Sequence, residues 1–564
     1  MLLSNLNLLA QAPNGVARLR ELILTLAVQG KLVPQDPSDE PASELLKKIR
    51  AEKDRLVAEG KIKRDKPLAE IAEEEKPFEL PNGWSWVKGR DLFSVIRGVT
   101  YQKADARETP AETHLPILRA NNIRGTVNLD DLVYVPAALI SEDQFLRVGD
   151  YVVCLASGSK NLVGKAAPFK ESLVCSFGAF CGAIRPIQEI AYFAVYLASP
   201  MYRDSVSEAS AGIGINNLKG SSLLDLDIAL PPAAEQSRIV TRVEELMRLC
   251  DALEAKGQLE TTQHAQLVST LLATLTESDT PAQLADNWHR IATHFDLLLD
   301  RPEAVDALEQ TILQLAVRGL LVPQDPQDEP ASELLKKIRA EKDKLIAQGK
   351  IKRDKPQPPI AEDEQPFALP QGWEWATMDG LASQITDGAH HTPTYIAEGV
   401  PFLSVKDLSS GFIDFSDTRF ISSQSHEDLA KRCNPEMGDV LLTKIGTTGI
   451  AVVVDTPRAF SLFVSVALIK LPSVSVDRDF LSLVINSPFV RQQSEDGTEG
   501  VGNKNLVLRK IKAFQIPIPP LAEQSRIVTR VAQLRRLCAD LRQRLIASQS
   551  TQAHLAEALV QEVA

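Results

Sequence analysis

The sequence predicts an α+β protein, in which two globular domains are joined by long antiparallel coiled-coil-like helices in a pseudo-twofold tandem repeat. Three observations predict this fold class. The flanking segments of the chain occur twice, short strand-like runs alternate with turns between these flanks, and a heptad pattern of apolar residues closes each copy. The chain has 564 residues, of which 44% are hydrophobic and 24% charged. This composition is typical of globular proteins, and the length predicts several domains.

The duplication is the most informative feature of the chain. Residues 32–66 read LVPQDPSDEPASELLKKIRAEKDRLVAEGKIKRDK, and residues 321–355 read LVPQDPQDEPASELLKKIRAEKDKLIAQGKIKRDK. The middles of the two copies, about 88–229 and 377–517, are unlike each other. We name these middles insert 1 and insert 2, and the repeated flanks the frames. Simple tandem duplication with drift is the alternative, but drift should not spare the flanks while it erases the middles. The pattern therefore favours one role for the frames and two separate specificities for the inserts.

A heptad pattern follows the closing segment of each copy, where LPPAAEQSRIVTRVEELMRLC at 230–250 returns as IPPLAEQSRIVTRVAQLRRLC at 518–538. Proline at the start and apolar residues at alternating steps of four and three predict two long helices. We expect these helices to pair with each other in opposite directions and to separate the domains by a fixed distance. Two surface helices, each packed on its own domain, are the alternative. The predicted partner and helix seam consists of Ile239, Val243, Leu246, Cys250, Leu253, Ile527, Val531, Leu534, Cys538 and Leu541.

Each insert is predicted to fold as a mixed or antiparallel sheet with helices. Leu-Pro-x-Gly-Trp-x-Trp at 80–86 and 369–375 is typical of a turn that leads into a strand. Runs such as GDYVVCLA in insert 1 and GDVLLTKIG in insert 2, separated by Gly, Asp and Asn, predict short strands. The predicted division is an N-terminal helical segment and linker at 1–76, a first domain at 77–235, a central helical region at 236–320, a repeated helical segment and linker at 321–366, a second domain at 367–523, and a C-terminal helix at 524–564.

Polar and basic residues collect at the predicted loops of both inserts. Arginine and lysine match the acceptors of guanine, asparagine matches adenine, and lysine, serine and threonine suit phosphates. Similar loops in both inserts favour DNA contacts by the group as a whole. The predicted DNA-binding residues of insert 1 are Arg97, Thr100, Tyr101, Lys103, Arg119, Asn121, Asn122, Ser159, Lys160, Asn161, Asn216, Asn217 and Lys219. Those of insert 2 are His390, His391, Thr392, Lys406, Lys444, Thr447, Asn503, Lys504 and Asn505.

Several function classes lose support from composition and motifs. The formal net charge is −12, which weighs against a free-standing nucleic-acid binder and favours DNA contacts strengthened by partners. The six cysteines form no CxxC pair, which excludes a typical structural zinc site. GSKNLVGKA at 158–166 lacks the spacing and the Ser/Thr of a phosphate loop. No apolar run is long enough for a membrane helix and no secretory signal is evident, so we expect a cytoplasmic protein.

These motifs together resemble the specificity subunits of type I restriction-modification systems, over essentially the whole chain. The signatures are the two Leu-Pro-x-Gly-Trp-x-Trp openings and the two closings that contain AEQSRIV. DGAHHTP at 387–393 and GDVLLTKIG at 438–446 are similar to patterns common in the target recognition domains of that family. Insert 1 departs from the first pattern, with RGVTYQKAD at 97–105 in its place.

The resemblance implies two target recognition domains, each of which reads one half of a bipartite site in double-stranded DNA. It also implies that the conserved helices dock two modification (methyltransferase) subunits, and that the full complex adds two restriction subunits. The chain itself would be non-catalytic and hold no metal or cofactor, with S-adenosylmethionine and Mg-ATP bound by the partners. A self-contained DNA methyltransferase or nuclease with unrecognised catalytic residues, and a pure protein scaffold without base readout, are the open alternatives.

Overall fold

The computed structural model describes residues 9, 12–62, 76–210, 216–278, 280–352, 360–499 and 504–563. The chain divides into two compact units. Unit 1 comprises Met1–Leu259 and Gln549–Ala564, and unit 2 comprises Glu260–Ser548. Each unit combines helices with sheets, which confirms the predicted α+β class.

Unit 1 contains one frame and insert 1. Its helices are α1 (Gly15–Val28), α2 (Ala42–Ala58), α3 (Gly89–Leu92), α4 (Phe193–Ala198), α5 (Pro200–Ala209), α6 (Gly220–Leu224) and the first part of α7 (Ala233–Thr276). Its strands are β1 (Ser85–Lys88), β2 (Phe93–Arg97), β3 (His114–Leu118), β4 (Val133–Pro136), β5 (Tyr151–Cys154), β6 (Ala156–Ser157), β7 (Ala166–Pro168), β8 (Ser176–Phe177), β9 (Cys181–Pro186), β10 (Asn216–Asn217) and β11 (Asp227–Leu230).

The sheets of unit 1 are small and largely antiparallel. The largest has the strand order β2-β9-β5-β7, with every neighbouring pair antiparallel. A three-stranded sheet of order β4-β3-β8 contains one parallel pair, β3 with β8. Two further pairs join β1 to β11 and β6 to β10. The central strands β5 and β9 are buried on both faces: Val153 and Ile184 lie in one apolar cluster, and Val152 and Ala183 lie in another.

Unit 2 contains the second frame and insert 2. Besides the last part of α7, its helices are α8 (Pro281–Thr293), α9 (Phe295–Leu298), α10 (Pro302–Val317), α11 (Ala331–Ala347), α12 (Met378–Leu381), α13 (Ser423–Ala430), α14 (Arg478–Ile485), α15 (Pro488–Asp496), α16 (Leu508–Lys512) and most of α17 (Leu521–Val563). Its strands are β12 (Glu374–Thr377), β13 (Gln384–Asp387), β14 (Val400–Leu403), β15 (Arg419–Ile421), β16 (Val440–Thr443), β17 (Ala451–Val453), β18 (Ser461–Leu462), β19 (Val466–Lys470), β20 (Thr498–Glu499), β21 (Asn505–Leu506) and β22 (Gln515–Ile518).

The strand order of unit 2 repeats that of unit 1, although the two inserts differ in sequence. The order β13-β19-β16-β17 matches β2-β9-β5-β7, and β15-β14-β18 matches β4-β3-β8 with the same parallel pair. The pair β12–β22 corresponds to β1–β11. The inserts are therefore two versions of one fold.

The two long helices join the units. Helix α7 begins in unit 1, and its residues 260–276 belong to unit 2; helix α17 begins in unit 2, and its residues 549–563 belong to unit 1. Proline pairs at 231–232 and 519–520 precede both helices, as predicted. No helix among the described residues is long and apolar enough to cross a membrane.

The heptad residues of the long helices face the core of the unit in which each helix begins. Ile239, Val243 and Cys250 are buried in one apolar cluster with Ile23 and Val28 of α1. In unit 2 the buried members are Ile527, Val531 and Cys538, in one cluster with residues of α10. The other seam residues, Leu246, Leu253, Leu534 and Leu541, are half-buried. Helices α1 and α10 are therefore packing partners of this seam.

Candidate nucleic-acid interface

In both inserts, the edge strand of the four-stranded sheet is followed by a glycine that no larger residue can replace, because a Cβ atom would clash with the backbone. A Cβ atom on Gly98, directly after β2, would lie 2.1 Å from the carbonyl oxygen of Gly178. A Cβ atom on Gly388, directly after β13, would lie 2.0 Å from the carbonyl oxygen of Leu462. Because these distances leave no room for a side chain, the residue after β2 and the residue after β13 pass close to the backbone at the ends of β8 and β18, respectively.

The next backbone contact is also shared. The N–H of Val99 donates to the carbonyl of Phe177 at 2.7 Å, and that of Ala389 donates to the carbonyl of Leu462 at 2.8 Å. The loops that follow are therefore structurally equivalent, although the first lacks the DGAHHTP pattern. The equivalent pairs are Arg97 with Asp387, Thr100 with His390, and Tyr101 with His391.

A buried carboxylate organises the loop of insert 2. Asp387, the last residue of β13, is 3% exposed, and three basic side chains contact it. Its Oδ2 lies 3.3 Å from Nζ of Lys444, and its Oδ1 lies 3.0 Å from Nε2 of His390. The Nη2 group of Arg432 donates to Oδ1 and, at 3.3 Å, to the backbone carbonyl of Asp387.

Two members of this cluster reach the surface. The side chains of Arg432 and His390 are 55% and 60% exposed, and Nη2 of Arg432 lies 3.0 Å from Nε2 of His390. The prediction missed Arg432, because it is 45 residues from Asp387 in sequence and nothing in its own surroundings marks it. Two separate segments, the loop after β13 and the turn after α13, thus present a histidine and an arginine to solvent beside a buried acid.

The structure corrects the prediction for Lys444. Its side chain is only 4% exposed and pairs with the equally buried Asp387. The carbonyl of Lys444 accepts from the N–H of Leu506 at 2.8 Å, as the carbonyl of Leu155 accepts from the N–H of Leu218 at 2.7 Å in insert 1. Leu155 is thus the equivalent residue. Because its amine is buried in the ion pair, Lys444 stabilises the cluster and does not present a surface for DNA.

Other predicted residues of insert 2 lie around the end of β16. The N–H of Gly446 donates to the carbonyl of Lys504 at 3.2 Å, which brings Thr447, Lys504 and Asn505 together. Thr447 and Lys504 are exposed. Oδ1 of Asn505 is buried without a hydrogen-bond partner in the described part of the chain. Asn503 lies outside the described residues. Thr447 and Lys504 therefore form a second exposed polar group, next to the end of β16.

The remaining predicted residues of insert 2 are at the surface. His391 and Thr392 are exposed in the loop after β13. Lys406 is exposed and donates to the carboxylate of Asp417 at 2.8 Å. This hydrogen bond holds the pKa of Asp417 below its usual range. Lys406 can leave this solvent-exposed partner for a phosphate at little cost, since such pairs contribute little to stability.

Insert 1 brings its two predicted polar loops together through a short strand pair. Asn216 pairs with Ser157 and Asn217 with Ala156, between β10 and β6. This pairing places the loop after β6 next to the segment around β10. The exposed members are Ser159, Lys160, Asn161, Asn217 and Lys219, and Asn216 is half-buried.

The structure also corrects the prediction for Asn122. Its side chain is buried, and its Oδ1 accepts from the N–H of Arg119 at 2.9 Å. Its Nδ2 donates to the carbonyls of Asn128 at 3.0 Å and Asp130 at 2.8 Å. An amide used in this way closes the loop and is not free to read a base. Its neighbour Asn121 is exposed.

The first polar loop of insert 1 uses different chemistry from that of insert 2. Arg97, Thr100 and Lys103 are exposed, and Tyr101 is half-buried against the apolar cluster around Val99. Arg97 stands at the position of Asp387. An exposed cation therefore replaces the buried carboxylate, and Leu155 replaces the lysine that pairs with it.

Each frame contains a buried polar anchor that holds the start of the insert against the start of the long helix. In unit 1, Nε1 of Trp84 donates to Oε2 of the buried Glu235 at 3.0 Å, and Nε2 of Gln35 donates to its Oε1 at 3.1 Å. The anchor links the turn before β1 to the first turn of α7. The prediction did not assign this role, although the repetition of both Trp and Glu was a signal for it.

Unit 2 repeats the anchor. Nε1 of Trp373 donates to Oε2 of Glu523 at 3.1 Å, and Nε2 of Gln324 donates to its Oε1 at 3.2 Å. Burial raises the pKa of Glu523, while these two hydrogen bonds act in the opposite direction. The identical geometry in both units indicates that the frames position their inserts in the same way.

Nucleophile and metal chemistry receive no support from the described residues. Among them, no group of three or more His, Cys, Asp or Glu is placed to hold a metal ion. The six cysteines are free and buried. Burial raises the pKa of Cys175, Cys181 and Cys433 to about 12. These three thiols therefore stay protonated near neutral pH and are poor nucleophiles.

Comparison with known proteins identifies the family. The family model of the type I restriction modification DNA specificity domain matches residues 81–262 and 385–548. The EcoAI specificity subunit of Escherichia coli is 35% identical, over 97% of this chain and 93% of its own length. The EcoEI specificity subunit of Escherichia coli has the same identity and coverage. The chain belongs to the type I restriction enzyme specificity subunits.

More distant relatives of this specificity subunit include the EcoKI specificity subunit of Escherichia coli K12. It is 26% identical over 81% of this chain and 83% of its own length. Among solved structures, a chain of a type I R-M system is 17% identical with a TM-score of 0.48, covering 86% of this chain and 99% of that one. The HsdS subunit from Thermoanaerobacter tengcongensis is 17% identical with a TM-score of 0.37, covering 86% and 98%.

The two ranges matched by the family model coincide with the duplication. Each covers most or all of one insert together with the first part of the long helix that follows it. The predicted family is confirmed. The protein is a subunit of a type I restriction-modification complex whose role is DNA specificity, while catalysis belongs to partner subunits.

Proposed function

We propose that this specificity subunit reads a bipartite site in double-stranded DNA. The domain at 77–235 contacts one half-site, and the domain at 367–523 contacts the other. One observation carries the proposal: the inserts share strand order and loop placement but differ in the side chains at equivalent positions, such as Arg97 and Asp387. Because each base pair presents its own donors and acceptors in the major groove, different side chains select different sequences.

We further propose that the helical regions 236–320 and 524–564 dock two modification subunits and set the spacing of the half-sites. Leu249 and Leu537 support this part of the proposal. They occupy equivalent positions on α7 and α17 and are 60% and 64% exposed. Equivalent apolar residues on repeated helices favour two copies of the same partner. Two restriction subunits complete the complex, S-adenosylmethionine and Mg-ATP bind in the partners, and the complex acts in the cytoplasm.

The exchange of one insert tests the proposal. Residues 88–229 are replaced by the corresponding insert of another specificity subunit, and methylated bases are mapped in the DNA of the host. One half of the methylated sequence is expected to change, while the other half and the spacing stay the same. The matched control replaces 377–517, which is expected to change the opposite half. A methylated sequence that is unaltered by both exchanges would contradict the proposal and support a scaffold without base readout.

The alternative of a self-contained enzyme is tested with the purified chain alone. Incubation with S-adenosylmethionine and unmethylated DNA is expected to give no methyl transfer, and incubation with DNA and Mg²⁺ no cleavage. Activity that appears only after addition of the modification subunit supports the proposed role. Activity of the isolated chain would overturn it.

A further inference from the structure

We propose that Arg432 reads a guanine in the half-site contacted by insert 2, and that Asp387 is the positioning residue that orients it. This inference rests on the proposed function, since it assumes that insert 2 faces DNA. It goes further by naming the base and the two side chains.

The carboxylate of Asp387 is fixed from several sides. Its backbone belongs to β13, where it pairs with Ala467 of β19. Its side chain is 4% exposed and forms an ion pair with the equally buried side chain of Lys444. Because a buried charge is costly without its partner, this pair holds both groups in one geometry. The acid is therefore a rigid support beneath the surface.

The guanidinium of Arg432 is held at one nitrogen. Within the described part of the chain, its contacts with Asp387 and His390 all come from Nη2. Two N–H groups on Nη1 and one on Nε are thus left for acceptors outside the protein. More than half of the side chain is exposed, so a ligand at the surface can reach these donors.

This arrangement favours a base over a phosphate. Guanine presents two acceptors, O6 and N7, in the major groove, and arginine is their commonest protein partner. A base edge must be met in one orientation, and an arginine held in advance by a carboxylate loses less conformational freedom on binding. A phosphate contact needs positive charge but not a fixed orientation. In insert 1 the equivalent strand ends in the exposed Arg97, so the buried support is particular to insert 2.

The test uses the complete complex of this subunit with its modification subunits and a set of DNA duplexes. The duplexes carry the methylated sequence of the wild type and every single base-pair substitution in the half-site of insert 2. For Arg432→Ala, we expect the preference for guanine at one position to fall by about 10-fold, the loss of one hydrogen bond from a charged donor, with the other positions unchanged. Arg432→Lys is expected to lose most of the same preference, because lysine keeps the charge but not the planar group that Asp387 holds in one orientation.

Two further variants separate orientation from charge and from fold. Asp387→Asn keeps the size of the side chain but removes the charge, and we expect a smaller loss of preference at the same position. Lys431→Ala is the matched control. It is the neighbouring cation, it is exposed and it pairs with Asp428, so its loss is expected to leave every base preference intact. Circular dichroism and thermal unfolding report whether each variant folds. If Asp387→Asn does not fold, the two Arg432 variants still test whether Arg432 reads the guanine.

The outcomes distinguish this inference from the proposed function. If Arg432→Ala weakens binding to all duplexes equally and lowers the salt dependence by about one phosphate contact, the inference is overturned in favour of a phosphate ligand. If Arg432→Ala retains all base preferences, the inference is overturned while the proposed function stands. If the wild-type complex shows no preference among the duplexes, the proposed function itself fails.

Discussion

The long helices of the two units pack against their shorter neighbours with the same apolar residues but with opposite charges. In unit 1, Nη2 of Arg20 on α1 lies 2.7 Å from carboxylate oxygens of both Asp251 and Glu254 on α7. These hydrogen bonds raise the pKa of the Arg20 guanidinium. Unit 1 therefore has the cation on the short helix and the acids on the long one.

Unit 2 has the reverse arrangement at equivalent positions. The guanidinium of Arg542 on α17 pairs with Asp306 and, at 3.0 Å, with Glu309 on α10. Glu309 stands where the first copy has Arg20, and Arg542 stands where it has Glu254. Both the acid and the base have changed sides, while the apolar seam has stayed the same.

This difference shows how a duplicated frame can avoid the wrong pairing. If α1 packed on the part of α17 that carries Arg542, Arg20 would lie beside Arg542, and if α10 packed on the part of α7 that carries Glu254, Glu309 would lie beside Glu254. Like charges at these places oppose both exchanges, because specificity needs a penalty for the wrong partner as well as contacts with the right one. The apolar seam supplies stability, and the charges select which helix binds which.

The largest effect is expected from removal of the anchor that both units share. Trp373→Ala leaves a cavity and deprives Glu523 of a donor, so we expect a loss of about 3–5 kcal/mol in the free energy of unfolding of unit 2. Trp84→Ala is expected to destabilise unit 1 to a similar extent, which urea-induced unfolding followed by circular dichroism can measure. Trp288→Ala, at an exposed tryptophan, serves as the control with a smaller expected loss. A large difference between the two anchor variants would show that the frames are not equivalent.

A smaller effect is expected from the reversed charges. Arg20→Glu replaces attraction by repulsion, and we expect a loss of about 1–2 kcal/mol at low salt, because each exposed ion pair contributes about 0.2–1 kcal/mol. The double variant Arg20→Glu with Glu254→Arg is expected to recover part of this loss. The difference between single and double variants, measured by urea unfolding, should shrink in 1 M salt. Independent effects of the two substitutions would contradict the role given to this pair.

The same cycle in unit 2 sharpens the comparison. Glu309→Arg places a cation beside Arg535 and Arg542, and Arg542→Glu is the compensating change. As in unit 1, we expect the single variant to lower the free energy of unfolding and the double variant to recover part of the loss. Arg542→Glu is expected to leave the loss caused by Arg20→Glu unchanged, because the two residues belong to different charge pairs. A change in that loss would show that the two pairs are coupled.

The smallest effect concerns the two equivalent thiols of the seam, Cys250 and Cys538. Burial raises the pKa of both thiols, so the folded protein keeps them protonated at a pH where an unfolded chain would lose the proton. Their contribution to stability is complete below the ordinary pKa of a thiol and is lost as the pH rises through the higher folded value. We expect iodoacetamide at pH 8 to leave both unlabelled, with mass spectrometry as the measurement. Labelling of one thiol before denaturation would show that its part of the seam opens.

The sequence was sufficient for features that repeat or follow a period. The heptad spacing predicted the starts of α7 and α17, and β-branched runs predicted strands such as β9 and β16. It failed where the fate of a side chain depends on distant residues. Nothing in the sequence around them shows that Lys444 is buried or that Arg432 reaches the carboxylate of Asp387 at the end of β13. The amide of Asn122 is bound by residues of its own loop, and the sequence pattern did not show that closure either. The role of a polar residue is set by tertiary contacts, whereas periodicity is set by the helix or strand itself.

The strand pair at the base of each insert has a consequence for how the sequence can evolve. Ser85 pairs with Leu230 in one copy, and Glu374 pairs with Ile518 in the other. The chain thus departs for the insert and returns from it at neighbouring points, about 5 Å apart across a two-stranded ladder. Recombination that exchanges the coding sequence between these points replaces a whole insert and leaves the rest of the chain in register. Because near-identical frames border both inserts, recombination can exchange each insert as a complete unit.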